Sequence, residues 1–89
     1  MMNAIQEICL AVASSFENQR IEEGYAGIIE FTAQINASAS TMPASLQEAI
    51  QQQLLVLQHY LAAHDDAHVA ALFKDELFTL TRQIFHSIN

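Results

Sequence analysis

The sequence predicts an all-α fold, a small antiparallel up-and-down bundle of four helices, or of three if the first two run on as one long bent helix. Three observations predict it. Helix breakers are scarce among the 89 residues, with one proline and two glycines. Alternating runs of β-branched residues are absent, while alanine, leucine and glutamine are common. Apolar residues also recur at steps of three and four, the spacing that lines one face of a helix.

The first apolar series is Ile5, Ile8/Cys9, Val12 and Phe16, and the second is Ile21, Tyr25, Ile28, Thr32 and Ile35. Between Phe16 and Ile21 the step is five residues, which throws the stripe off by about 140° on a regular helix. The intervening Glu17-Asn18-Gln19-Arg20 is wholly polar. A helix unbroken from Asn3 to Asn36 would be about 50 Å long, against about 30 Å for the later ones. Matched lengths pack better, so a break near Asn18 is expected. Gly24 and Gly27 lie within the second series, where each costs about 1 kcal/mol relative to alanine. Close approach of a neighbouring helix over a patch that includes Ala26 is the expected compensation.

Ile35 to Ser45, INASASTMPAS, is rich in small polar residues, holds the single proline and reads as a loop. Ser45 and Glu48 fit a capping box at the next helix start, with Pro43 in the first helical position as the other option. The third helix follows Leu46, Ile50, Leu54, Leu57 and Leu61. The fourth is expected from about Asp66 to Ser87, with the stripe Val69, Phe73, Leu77, Leu80, Ile84, Ile88. A second apolar line, Ala71, Phe78 and Phe85, lies about 100° around from that stripe.

The chain reads as a single domain, residues 1–89. It is 52% hydrophobic and only 15% charged, where domains average about 25% charged. So small a fold has little interior for the surplus, and some apolar surface is expected to meet a partner, most simply a second copy. Ala71, Phe78 and Phe85 are the candidate partner-binding residues, because aromatic anchors dominate interface energetics. Ten acidic residues face three basic ones, Arg20, Lys74 and Arg82, for a net charge of −7. Three scattered cations do not neutralise a phosphate backbone or hold an anionic bilayer, so neither nucleic acid nor membrane is an expected partner. A basic protein is permitted.

The segment Leu61 to Ala70, LAAHDDAHVA, poses the main chemical question. His64 and His68 share a face only if one helix runs through both. Aspartate is a preferred N-cap and suits the positive end of a helix dipole, and histidine suits the negative end. The segment therefore reads as a turn between two helices, with His59 on the solvent side of the third helix. No Glu-x-x-His pair or His-Glu-x-x-His run occurs, so no metal or other cofactor is expected. Cys9, the single cysteine, lies in the apolar run ICLAVA and reads as a small buried hydrophobe. No Gly-x-Ser-x-Gly or glycine-rich phosphate loop is present, and no enzymatic activity is expected. Glu22/Glu23 and Asp75/Glu76 read as solvated faces, with Glu76 nearest the core stripe. The first fifteen residues lack the basic start of a secretion signal, no run reaches the ~18 apolar residues of a membrane span, and the expected location is the cytoplasm.

Two segments carry a resemblance. IEEGYAGIIEFTAQI (Ile21 to Ile35) resembles the glycine-bearing helix of a small, uncharacterised family of bacterial helical proteins. LAAHDDAHVAALFKDELFTL (Leu61 to Leu80) is similar to that family's aspartate-led helix running into Glu-Leu, here Glu76-Leu77. Together they cover 35 of the 89 residues. The family pattern has a proline shortly after Glu-Leu, which this chain lacks. The resemblance implies a bacterial cytosolic helical protein and no particular activity. In size, charge and helicity the chain is also similar to small acidic export chaperones such as the flagellar ones, which bind a partner's amphipathic helix. The expected function is thus a non-catalytic, self-associating protein-interaction module. The alternatives are a chaperone-like binder of a partner helix and a small-ligand or metal-binding bundle.

Overall fold

A computed structural model describes residues 2–88, without the side chains of 85–88. It is all-α. α1 (Ala4–Glu17) starts at Asn3 with a reciprocal cap. The Gln6 N–H donates to Asn3 Oδ1 at 2.8 Å, and the Asn3 N–H donates to Gln6 Oε1 at 3.2 Å. The helix ends where the five-residue step predicts. Gln19 turns left-handed (φ 63°), and the N–H groups of Gln19 and Arg20 donate back to Phe16 O and Ser15 O, closing a Schellman turn.

α2 (Ile21–Ser38) runs straight into a 3-10 turn, Ala39–Thr41. The loop expected from Ile35 is therefore mostly helical, because alanine is the best helix former and single serines and asparagines cost little. Only Met42 and Pro43 are extended. α3 (Ala44–Ala62) begins after Pro43, which occupies the N-cap rather than the first helical position. The Ser45–Glu48 capping box does not form. Instead the Gln47 side-chain amide donates back to Met42 O (3.1 Å) and to Ala39 O (2.7 Å), which also accepts from the Met42 N–H, and so ties the start of α3 to the preceding turn.

α3 ends in a second Schellman turn of the same shape. His64 is left-handed (φ 55°), and the N–H groups of His64 and Asp65 donate to Leu61 O and Tyr60 O. α4 (Asp66–Ala71) passes without interruption into a π segment (Leu72–Glu76) and then α5 (Leu77–Ile88). The π segment sets the register. The buried residues Val69, Phe73, Leu77 and Thr81 follow one another at steps of four. In a regular α-helix those twelve residues would drift by about 120° around the axis. Turns closed by i→i+5 bonds rotate less per residue, and the π segment absorbs the drift. Thr81 therefore reaches the core at 0% exposure, and Leu80, expected in the stripe, is half-buried.

α1 is the central helix. It packs on α2 along one side and on α4, the π segment and α5 along the other, while α3 closes over α4 and α5. The core gathers Cys9, Val12 and Phe16 of α1, Phe31 of α2, Ile50 and Leu57 of α3, and Val69, Phe73 and Leu77. Phe31 and Phe73 meet edge-on at 5.2 Å, which ties α2 to the π segment.

The face α2 buries shares Ile21, Ile28 and Ile35 with the predicted stripe but is rotated away from Tyr25 and Thr32. Gly24, Phe31 and Ile35 are buried, Tyr25 is exposed and Thr32 only half-buried. The glycines explain the rotation. A Cβ on Gly24 would lie 2.6 Å from Phe16 Cε2, and one on Gly27 would lie 2.6 Å from Val12 Cγ2. The close helix approach is present, but Ala26 is exposed and takes no part in it. Gly27→Ala is expected to cost about 1–2 kcal/mol net, as overpacking outweighs the gain in helix propensity. In a Val12→Ala background the same substitution should instead stabilise by roughly 1 kcal/mol, because the opposing methyl is gone. Urea midpoints of the four proteins check this, and an equal cost in both backgrounds would discount the contact.

Candidate functional site

The HDDAH segment is a turn with a built polar cluster. Asp65 is the N-cap of α4, and its Oδ1 accepts from the His68 N–H at 3.3 Å. Its other carboxylate oxygen pairs with His68 Nδ1. The His68 ring stacks on Tyr60 of α3, centroids 5.0 Å apart and planes 25° apart. Asp65, His68 and Tyr60 thus pin the end of α3 to the start of α4. His64 sits in the left-handed position, and His59 is exposed on α3. The turn separates His64 and His68, and among the described residues no three His, Cys, Asp or Glu side chains gather to hold a metal ion. Glu76 is exposed and meets no buried polar group; with Tyr60 and His68 it borders a shallow groove of about 190 Å³.

Of the predicted partner-binding residues, Ala71 is exposed and Phe78 is half-buried against the core. The side chain of Phe85 lies outside the described residues. The π segment falls between Ala71 and Phe78, so the regular seven-residue spacing that would align them does not apply. Among the described residues the large apolar side chains left in water lie elsewhere. Ile29 of α2 is 71% exposed, Leu55 of α3 62%, Met2 43% and Tyr25 40%. Ile29 sits midway along a row of exposed residues on α2, Ala26, Ile29, Ala33 and Ala37, at helical steps of three and four. That row lies away from the glycines that face α1.

A second cluster, missed by the sequence reading, is internal. Gln6 and Thr81 are almost wholly buried. The Gln6 amide donates to Phe78 O (3.3 Å), and the Asn3 amide donates to Thr81 O (3.1 Å). The Thr81 hydroxyl donates to Leu77 O at 2.7 Å and lies 3.8 Å from Cys9 Sγ. Every partner is a backbone carbonyl of α5 or a neutral side chain, so the cluster joins α1 to α5 rather than forming a reactive centre. Burial pushes the Cys9 thiol up from its usual 9.0 to about 11, which keeps it protonated and unreactive at neutral pH. Asn3-x-x-Gln6 was the available signal, since Asn followed by Gln at the third position is a capping pattern.

A third feature is an open cleft of about 620 Å³ between the end of α1 and the outer side of α4 and the π segment. Ala67 and Ala71 line it, and Glu17, Asp66 and Asp75 stand around it. Lys74 approaches Glu17 to 3.7 Å across one edge. Among the described residues no helix is long and apolar enough to cross a membrane. The chain matches no known protein family, no curated protein and no solved structure.

Proposed function

We propose that this chain is a non-catalytic helical interaction module that pairs with a second copy of itself through the outer face of α2. The observation that carries this reading is Ile29, the most exposed large hydrophobic side chain among the described residues, set in a row of alanines. Small residues on either side of one branched apolar residue let two helices approach closely. The four residues of the row are uncharged, while Glu22 continues it one turn earlier and Glu30 flanks it between Ala26 and Ala33, so self-pairing along this face should tighten as salt rises. Residues at steps of three and four form a seam of the kind helices pair along.

Light scattering on a sizing column tests this. The wild type is expected to run as a dimer indifferent to a chelator, and Ile29→Glu as a folded monomer. A monomeric wild type would overturn the reading. So would a dimer that survives Ile29→Glu but dissociates with Phe78→Asp, which would move the interface to the Ala71–Phe78 side.

A further inference from the structure

We infer that the cleft between α1 and α4 is a docking site for a basic amphipathic segment of another protein, which seats an apolar side chain on Ala67 and Ala71 and its cations on Glu17, Asp66 and Asp75. The cleft is concave and open, at about 620 Å³, enough for one or two side chains rather than a whole helix. Its alanines leave room where larger residues would fill it. Three carboxylates from three elements surround that room: Glu17 closes α1, Asp66 opens α4 and Asp75 belongs to the π segment. Against them stands one cation, Lys74, and it is already near Glu17. The local field is therefore negative, and it attracts Lys and Arg.

Glu17 is the last residue of α1, where the helix dipole disfavours a carboxylate, and Lys74 at 3.7 Å offsets that cost. A second copy of this chain is a poor occupant, because it would bring ten acidic residues and only three basic ones to the carboxylates. The row centred on Ile29 offers a second copy apolar contact that this cleft does not, so the two surfaces serve different partners. This site holds whether or not the chain dimerises through Ile29.

The probe is a fluorescein-labelled helical peptide with leucine on one face and lysine on the other, compared with its glutamate counterpart by anisotropy. The wild type is expected to bind the lysine peptide, more weakly as salt rises, and not the glutamate one. Ala71→Trp, an exposed position, fills the cleft and should weaken binding at least about tenfold. Glu17→Gln with Asp75→Asn should weaken it similarly and flatten the salt dependence. Helical circular dichroism confirms that each variant is folded, and the two test different walls, so a fault in one leaves the other to decide. Failure of the lysine peptide to bind would overturn the inference. Undiminished binding to folded Ala71→Trp would do so too, as it would mean diffuse attraction to an acidic surface. Equal binding of the glutamate peptide would remove the charge argument altogether.

Discussion

Deleting Asp75 is expected to leave the fold standing, whereas deleting Gln52 is expected to abolish it. Both residues are exposed and both sit inside helices. A one-residue deletion in a regular helix rotates everything beyond it by about 100°. In α3 that carries Leu54, Leu57 and Leu61 away from the face shared by Leu46 and Ile50. Each buried leucine is worth about 1.5–3 kcal/mol, and a domain of this size has only about 5–10 kcal/mol of stability in total. The fourth helix differs because its π segment already holds a surplus residue. Without Asp75, Val69, Phe73, Leu77, Thr81 and Ile84 follow at steps of four, three, four and three. The angle from Val69 to Thr81 along a regular helix falls from about 120° to about 20°. The deletion should convert the wide turn to α-helix, keep the same residues inside and change stability by no more than about 2 kcal/mol. Urea unfolding followed by helical circular dichroism distinguishes the two. Equal damage from both deletions would mean that the π segment does not correct the register.

Alkaline pH should weaken the fold through Cys9. The thiol is raised from 9.0 to about 11 in the folded chain, mainly by burial. Below pH 9 both states hold the proton and the group contributes no pH dependence. Between about pH 9 and 11 the unfolded chain gives up its thiol proton and the folded chain keeps it, so stability falls as pH rises. The loss approaches about 2–3 kcal/mol by pH 11. The comparison is with Cys9→Ala, which differs from the wild type at the thiol alone. That variant should be weaker at pH 7, by about 1 kcal/mol for the small cavity it leaves. The gap between the two proteins should close as pH rises through the window and then reverse. A gap constant from pH 7 to 11 would place the thiol in contact with water.

What the sequence made legible follows from what periodicity measures. α1 and α3 are lined by side chains large enough to register, and their buried faces are the ones the spacing predicts. The turn at His64–Asp65 was legible because an aspartate N-cap and a helix stop are local chemistry. On α2 the method failed at the glycines. A residue with no side chain adds nothing to an apolar stripe, yet Gly24 and Gly27 are where α1 comes closest, so the spacing takes in Tyr25 and Thr32 and leaves out Gly24 and Phe31. On the fourth helix Val69, Phe73, Leu77 and Ile84 are buried as the spacing predicts, and the reading slips only at Leu80, because spacing assumes one rotation per residue and the π segment changes that midway. Thr81 in place of Leu80, and the uncertain alignment of Ala71 with Phe78, both come from that one turn. The cleft was not legible at all, since it joins Glu17 to residues about fifty positions later in the chain.

The two left-handed turns have a consequence for how copies of the chain can exchange parts. Gln19 and His64 are not glycines, and each side chain held at positive φ costs about 1–2 kcal/mol. The connections are also very short, with three residues between α1 and α2. If the hinge at Gln19 opens, Gln19 relaxes to ordinary helical angles and α1 joins α2 as the single long rod that the spacing leaves as the other option. The glycine face of α2 is then free to settle on α1 of a neighbouring molecule, making the same contacts in trans. The strain favours the straight rod, and the fit of Gly24 and Gly27 onto Phe16 and Val12 is made in either form, so it favours neither. Concentration decides between the two, because only a crowded solution supplies a second α1.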